Sequence, residues 1–176
     1  MSFANRGLRG SVLEEMINMT NEKYKAQGLC VVEKIPTPIT PVAIDKESRT
    51  ITLAYFEKKS SVDYIGVVQG IPICFDAKET RQKSLPLSNI HRHQIEFMEA
   101  FSKQDGIAFM LVNFAILDKC YFLPFEDLKA FWDKAQLDGK KSISHELFEE
   151  KYLVSQKGGQ LKYLDAINTY LEAKGE

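Results

Sequence analysis

Two short runs rich in β-branched and apolar residues, Val62 to Val68 and Ile71 to Lys78, are separated by Gln69-Gly70. A glycine-tolerant, two-residue connection between such runs predicts a β-hairpin. With Gln69 and Gly70 as the central turn residues, Val68 faces Ile71, and counting outward sets Asp63 opposite Asp76. Period-two alternation adds Cys74 and Lys78 to the face that holds both acids and sends Ile73, Phe75 and Ala77 toward a core. Pro72 cannot donate to a ladder. The second strand is therefore expected either to lie at an edge near its start or to slip by a residue.

The rest of the chain divides by the same patterns. Ser11 with Glu14 forms a capping box, and Leu13, Met16, Ile17 and Tyr24 recur at helical spacing until Gly28. Leu29 to Ile35 reads as a strand leading into PTPITP, where Pro36, Pro38 and Pro41 impose a stiff, extended path. Ile39 to Ile44 and Thr50 to Phe56 form the two legs of either a projecting arm, over residues 36–59, or an ordinary peripheral hairpin. After the acidic hairpin, Ser88 or Asn89 caps a helix carrying Ile90, Gln94, Phe97, Met98 and Phe101, to about Lys103. Gly106 to Phe114 is almost continuously apolar, as a strand buried on both sides must be. Cys120 to Leu123 follows a turn at Asp118-Lys119, and Pro124 opens a helix with Leu128, Phe131 and Trp132. A last helix runs from about Gln160.

Composition bounds these elements rather than changing them. The 176 residues, 44% hydrophobic and 27% charged, suit one globular domain, residues 1–176. No apolar run reaches the ~20 residues of a membrane span, and MSFANRGLRG lacks the apolar stretch of a secretory signal, so a cytosolic location is expected. Cys30, Cys74 and Cys120 are odd in number and show no zinc spacing; all three read as reduced, mostly buried thiols.

The net charge of −1 does not by itself mark a nucleic-acid binder. Its distribution is uneven. Residues 1–104 carry 14 Lys/Arg against 12 Asp/Glu, while residues 105–176 carry 9 against 12. A divalent cation bound to two acids of the first part would make the local field more positive.

An acid followed two residues later by lysine occurs at Glu57, Asp76, Asp127, Asp138, Glu149 and Glu172, so that tripeptide carries no weight alone. Only Asp76 combines it with a predicted buried strand and an acid directly across. Asp63, Asp76 and Lys78 then form either the constellation of a metal-dependent phosphodiesterase or a salt-bridged patch on a solvated sheet face. His91 and His93, two apart on the predicted helix, should fall on different sides and not pair at a metal, whereas His91 and Gln94 share a face that reaches the acids. Lys140 and Lys141 form a basic loop that is either solvated surface or a phosphate contact.

Several blocks in one order carry a resemblance: NRG at 5–7, LEEMINMTN at 13–21, KIPTP at 34–38, VDYIG at 62–66, FDAKET at 75–80, HQIEFM at 93–98 and GKKSI at 139–143. The chain resembles the RecU family of Holliday junction resolvases over nearly its whole length. The resemblance implies an α/β fold with a restriction-endonuclease-like core, a mixed β-sheet flanked by helices and a projecting β-hairpin arm that enters the centre of a four-way junction.

It also implies residue roles. Asp63 resembles the first catalytic aspartate, Asp76 the second acid (often glutamate in the family) and Lys78 the active-site lysine, with Gln94 as a supporting group. Mg²⁺, with Mn²⁺ as an alternative, would be held by Asp63, Asp76, the Ala77 carbonyl and Glu14. The expected DNA contacts are Arg6, Arg9, Lys34, Arg49, Lys58, Lys59, Arg81, Lys83, Lys140 and Lys141. The expected products are a 5′-phosphate and a 3′-hydroxyl. A homodimer is expected on a two-fold substrate, as is partnership with a recombinase and a branch-migration motor, in a nucleoid-associated setting. The competing readings are a nuclease for another branched or duplex DNA and a non-cleaving junction binder.

Overall fold

Leu13, Ile17 and Tyr24 lie on one face at helical spacing, and α1 (Val12–Ala26) buries that face. Gly28 ends the turn that follows it in the left-handed region, φ 68°, where a side chain would be strained. β1 (Cys30–Lys34) follows, then β2 (Ile39–Asp45), β3 (Thr50–Phe56), β4 (Tyr64–Val68) and β5 (Ile71–Thr80). β6 (Ser84–Pro86) leads through a single 3₁₀ turn, Leu87–Asn89, toward α2 (Arg92–Ser102). β7 (Ile107–Phe114) and β8 (Lys119–Pro124) precede α3 (Phe125–Asp138). β9 (Ser142–Ser144), β10 (Leu153–Val154), β11 (Gln156–Lys157) and β12 (Gln160–Leu161) precede α4 (Tyr163–Lys174). This is a computed structural model, and it describes residues 12–56 and 61–175.

The main sheet has six strands in the order β1-β4-β5-β7-β8-β10. Only β5 and β7 run parallel, from Ile73 opposite Ile107 to Thr80 opposite Phe114, and α2 lies in the chain between them. β7 is buried at all eight positions, as its unbroken apolar run requires. The sheet is covered on both faces. α1 and α4 pack Leu13, Ile17, Tyr163 and Ile167 against Ile73, Phe75, Phe109 and Phe122. α2 and α3 pack Ile95, Met98 and Leu128 against Cys74, Met110, Val112 and Leu123. Each such side chain contributes about 1.5–3 kcal/mol of burial free energy. Tyr64, Phe75 and Phe109 stack in a row, with 4.7 Å between successive ring centroids, across β4, β5 and β7.

The hairpin register is the one counted from the sequence: Val68 opposes Ile71 and Tyr64 opposes Phe75. Gln69 and Gly70 both have positive φ, 47° and 91°, as a tight turn matched to strand twist demands. Pro72 slips nothing. The pair nearest the turn exchanges hydrogen bonds, so the next pair, Val67 and Pro72, does not need the missing N–H on the β4 side. On its other side β7 begins only opposite Ile73, so Pro72 sits just beyond that ladder.

The helix expected from Ser88 or Asn89 starts later. Residues 87–89 make a 3₁₀ turn, Ile90 is extended and buried, and His91 is the N-cap of α2. The last helix likewise begins at Tyr163, because Gly158 and Gly159, both at positive φ, turn the small ribbon β11–β12 first. β2 and β3 form a two-stranded sheet separate from the main one, with a register irregularity around Pro41 to Ile44. β6 pairs with β9, a ribbon that the sequence reading did not anticipate.

Candidate active site

The site forms where the β4–β5 ladder ends. Asp63 immediately precedes β4, and its Oδ2 accepts the Ala77 amide at 3.0 Å, so the carboxylate takes up the N–H of β5 that lies beyond the last strand pair. Ala77 turns its side chain to the α1 face, leaving Asp76 and Lys78 on the other. Asp76 is fully buried, which excludes the solvated salt-bridge patch. The Lys78 ammonium lies 2.5 Å from Asp76 Oδ2, off the direction of a good hydrogen bond, so Oδ2 has a charge partner but no directed donor.

Gln94 holds the other oxygen. Its Nε2 donates to Asp76 Oδ1 at 2.7 Å, while its Oε1 accepts the His91 amide at 2.9 Å. The His91 side chain in turn accepts the Gln94 amide, completing a reciprocal cap of α2. The cap fixes which end of the Gln94 amide faces Asp76. As the N-cap, His91 lies outside the helix, and the two imidazoles stack with centroids 5.4 Å apart instead of falling on different sides. That corrects the helical-wheel expectation for His91 and His93.

Burial pushes the Asp76 carboxyl well above the ordinary carboxylate range, to about 7; Lys78 opposes the rise and Asp63 adds to it. A buried acid whose neighbouring acid raises it further, and which has one oxygen without a directed donor, has the donor chemistry that a hard cation requires. Asp63, Asp76 and the Ala77 carbonyl supply oxygen donors of the right chemistry. Among the described residues no group of three Asp, Glu, His or Cys side chains converges to hold a metal. Glu14, expected as a further ligand, meets Lys34 at 2.6 Å. Two carboxylates suffice for Mg²⁺, which keeps several waters and takes substrate oxygens.

The expected DNA contacts separate into groups. Lys34 is engaged with Glu14, and Arg49 sits at the turn of the arm with φ 53°. Arg6, Arg9, Lys58 and Lys59, like Ser11 of the expected capping box, lie outside the described residues. Arg81, Lys83, Lys140 and Lys141 flank the β6–β9 ribbon, where His145 donates its amide to the Lys83 carbonyl at 3.0 Å and Leu87 to the Lys141 carbonyl at 2.9 Å. Two basic segments far apart in sequence thus share one basic margin, with Lys83 beside His145 at one end of the ribbon and Lys141 beside Leu87 at the other. Local pattern also gives little warning of a part-buried polar pair on the opposite face of the sheet, where Asn113 of β7 donates to Glu79 of β5 at 3.0 Å. Its one signal is a lone asparagine inside an otherwise apolar strand.

Two acids and a lysine at the open end of a hairpin, on a mixed sheet covered by helices, define the class: an α/β nuclease with a restriction-endonuclease-like core. A family model described as Recombination protein U matches residues 8–169, and the chain belongs to that family. Among its relatives are proteins named Holliday junction resolvase RecU. The one from Leuconostoc mesenteroides is 43% identical over 95% of this chain and 84% of its own length. Those from Streptococcus thermophilus, 43% identical over 97% and 87%, and Pediococcus pentosaceus, 42% over 94% and 86%, match comparably.

Proposed function

We propose that this chain is a structure-specific DNA endonuclease that resolves four-way junctions by metal-dependent phosphodiester hydrolysis in recombination and repair. The observation that carries the reading is the buried Asp76, locked by Gln94 and paired with Lys78, one residue beyond the last strand pair and beside Asp63, whose carboxylate accepts the Ala77 amide. Membership of the Recombination protein U family and relatives named as resolvases support the choice of substrate.

The chemistry assigns a task to each group. A bound Mg²⁺, or Mn²⁺ in its place, would neutralise charge on the phosphate oxygens and lower the pKa of an attacking water. Asp63 and Asp76, with the Ala77 carbonyl, would hold that ion. Gln94 keeps Asp76 in one orientation. Lys78 Nζ orients the water or takes its proton, and adds positive charge where negative charge builds in the transition state. Membership of the family implies products with a 5′-phosphate and a 3′-hydroxyl.

The arm supplies recognition. Val42, Ile44, Leu53, Tyr55 and Phe56 are all largely exposed on β2 and β3, and such a surface suits the unstacked bases at a junction centre. Arg49 at its tip and the basic margin around Lys83 and Lys141 hold the phosphates of the arms. A four-way junction presents two symmetry-related strands, so two copies of this site in a two-fold homodimer match it. A recombinase and a branch-migration motor are the protein partners consistent with this role, at the nucleoid; no described helix is long and apolar enough to cross a membrane.

Cleavage of an immobile four-way junction, a flap and a linear duplex at matched salt tests the substrate. Preference for the junction is expected; equal cutting of all three would reject the resolvase reading.

A further inference from the structure

A cavity of about 120 Å³ opens between α3 and the β6–β9 ribbon, away from the carboxylate pair. Leu87, Phe131, Ile143 and Leu147 line it, and Lys134 and Lys140 stand among the residues around it. The volume is that of a side chain, not of a nucleotide. Leu147 is half-exposed beside it, and Leu137, one helical turn beyond Lys134, is 90% exposed, so apolar surface extends beyond the cavity.

The charges point one way. Among the described residues Lys134, Lys140 and Lys141 make no ion pair, whereas Lys129, Lys151 and Lys174 nearby in sequence each have a carboxylate. Asp133, next to Lys134, is paired with Lys129, and Asp138 accepts the Lys140 backbone amide at 3.1 Å. Two unpaired ammonium groups, Lys134 and Lys140, beside an apolar pit complement a ligand that carries both an apolar side chain and carboxylates.

We infer that this pit is a docking site for an acidic peptide segment of a partner protein, anchored by a leucine-, isoleucine- or phenylalanine-sized side chain. The inference is independent of the nuclease reading. A DNA backbone would use the lysines but leave the pit unfilled, because phosphodiesters present no apolar group to it. An acidic segment with one apolar anchor uses both, in the manner of a buried anchor surrounded by a polar rim.

The test is fluorescence anisotropy of the full chain with a labelled ten-residue peptide of Asp and Glu around a central Ile-Leu pair. Two control peptides replace the apolar pair by Ser or the acids by Gln. Saturable binding is expected for the first peptide alone. It should weaken about tenfold in Lys134→Glu and again in Leu147→Ser, two exposed positions whose substitution should leave thermal melting and junction cleavage unchanged. Equal affinity for all three peptides, no binding to any, or unchanged binding in both variants would overturn the proposal. So would displacement of the peptide by duplex DNA together with a matching loss of DNA affinity in Lys134→Glu, which would make the face a nucleic-acid surface.

Discussion

Gln94 donates to Asp76 Oδ1 at 2.7 Å while its own oxygen accepts the amide of His91, so the cap of α2 and the orientation of a buried acid are one hydrogen-bonded unit. Replacing Gln94 by leucine leaves Asp76 Oδ1 and the His91 amide without these partners. The expected cost is about 1–3 kcal/mol of stability, and roughly 2–4 °C of melting temperature for each of them. Cleavage should fall as well, and Gln94→Glu should not rescue it, because a carboxylate facing Asp76 repels it. Thermal melts alongside single-turnover cleavage check both.

The raised Asp76 pKa makes the metal-free protein pH-sensitive. Unfolded, this acid ionises near its ordinary 3.8; folded, burial moves it to about 7. Between those values the native chain holds more protons than the unfolded chain, so this group lowers stability as pH rises through the window and has no slope outside it. Asp76→Asn should abolish cleavage, retain junction binding, and melt higher than the wild type at pH 8 without metal but not at pH 4. Calorimetry at the two pH values measures the difference.

Lys78→Met removes the cation seen against Asp76 among the described residues. The cleavage rate should drop about 10²–10⁴-fold, the loss expected when a positioned proton-transfer group goes. The Asp76 carboxyl should rise further, since Lys78 holds it down. Single-turnover rates, with binding measured in Ca²⁺, separate chemistry from affinity.

Lys83 and Lys141 flank opposite ends of one ribbon, and each is expected to contact a phosphate. Each alanine variant should weaken junction binding at low salt and reduce the slope of log affinity against log salt by about one, without altering which structures are cut. A filter-binding series over salt concentration shows it. Unchanged slopes would return both lysines to ordinary solvated surface.

The site was legible where local chemistry fixed the geometry. Gln69-Gly70 set the hairpin turn, period two then placed Asp63 opposite Asp76, and the unbroken apolar run at Ile107 to Phe114 announced the central strand. What was hidden depended on contacts distant in sequence or on unusual cap chemistry. Nothing local to Ser84–Pro86 or Ser142–Ser144 says that they pair, so two basic segments looked unrelated. His91 is an uncommon N-cap, and the apolar Ile90 beside it mimics a helical position, which drew the predicted helix start two or three residues early. Glu14 has the right charge for a metal ligand, but only the fold brings Lys34 to it.

The central claim is that the Asp63–Asp76–Lys78 constellation cuts four-way junctions with the aid of a divalent metal. The most direct test incubates the chain and its Asp63→Asn variant with an end-labelled immobile junction, with and without Mg²⁺, and resolves the strands on a denaturing gel. Paired, symmetric nicks with 5′-phosphate ends should appear only for the wild type and only with the metal, while both proteins bind the junction. Tight binding with no nicks from the wild type, or equal nicking by Asp63→Asn, would contradict the account.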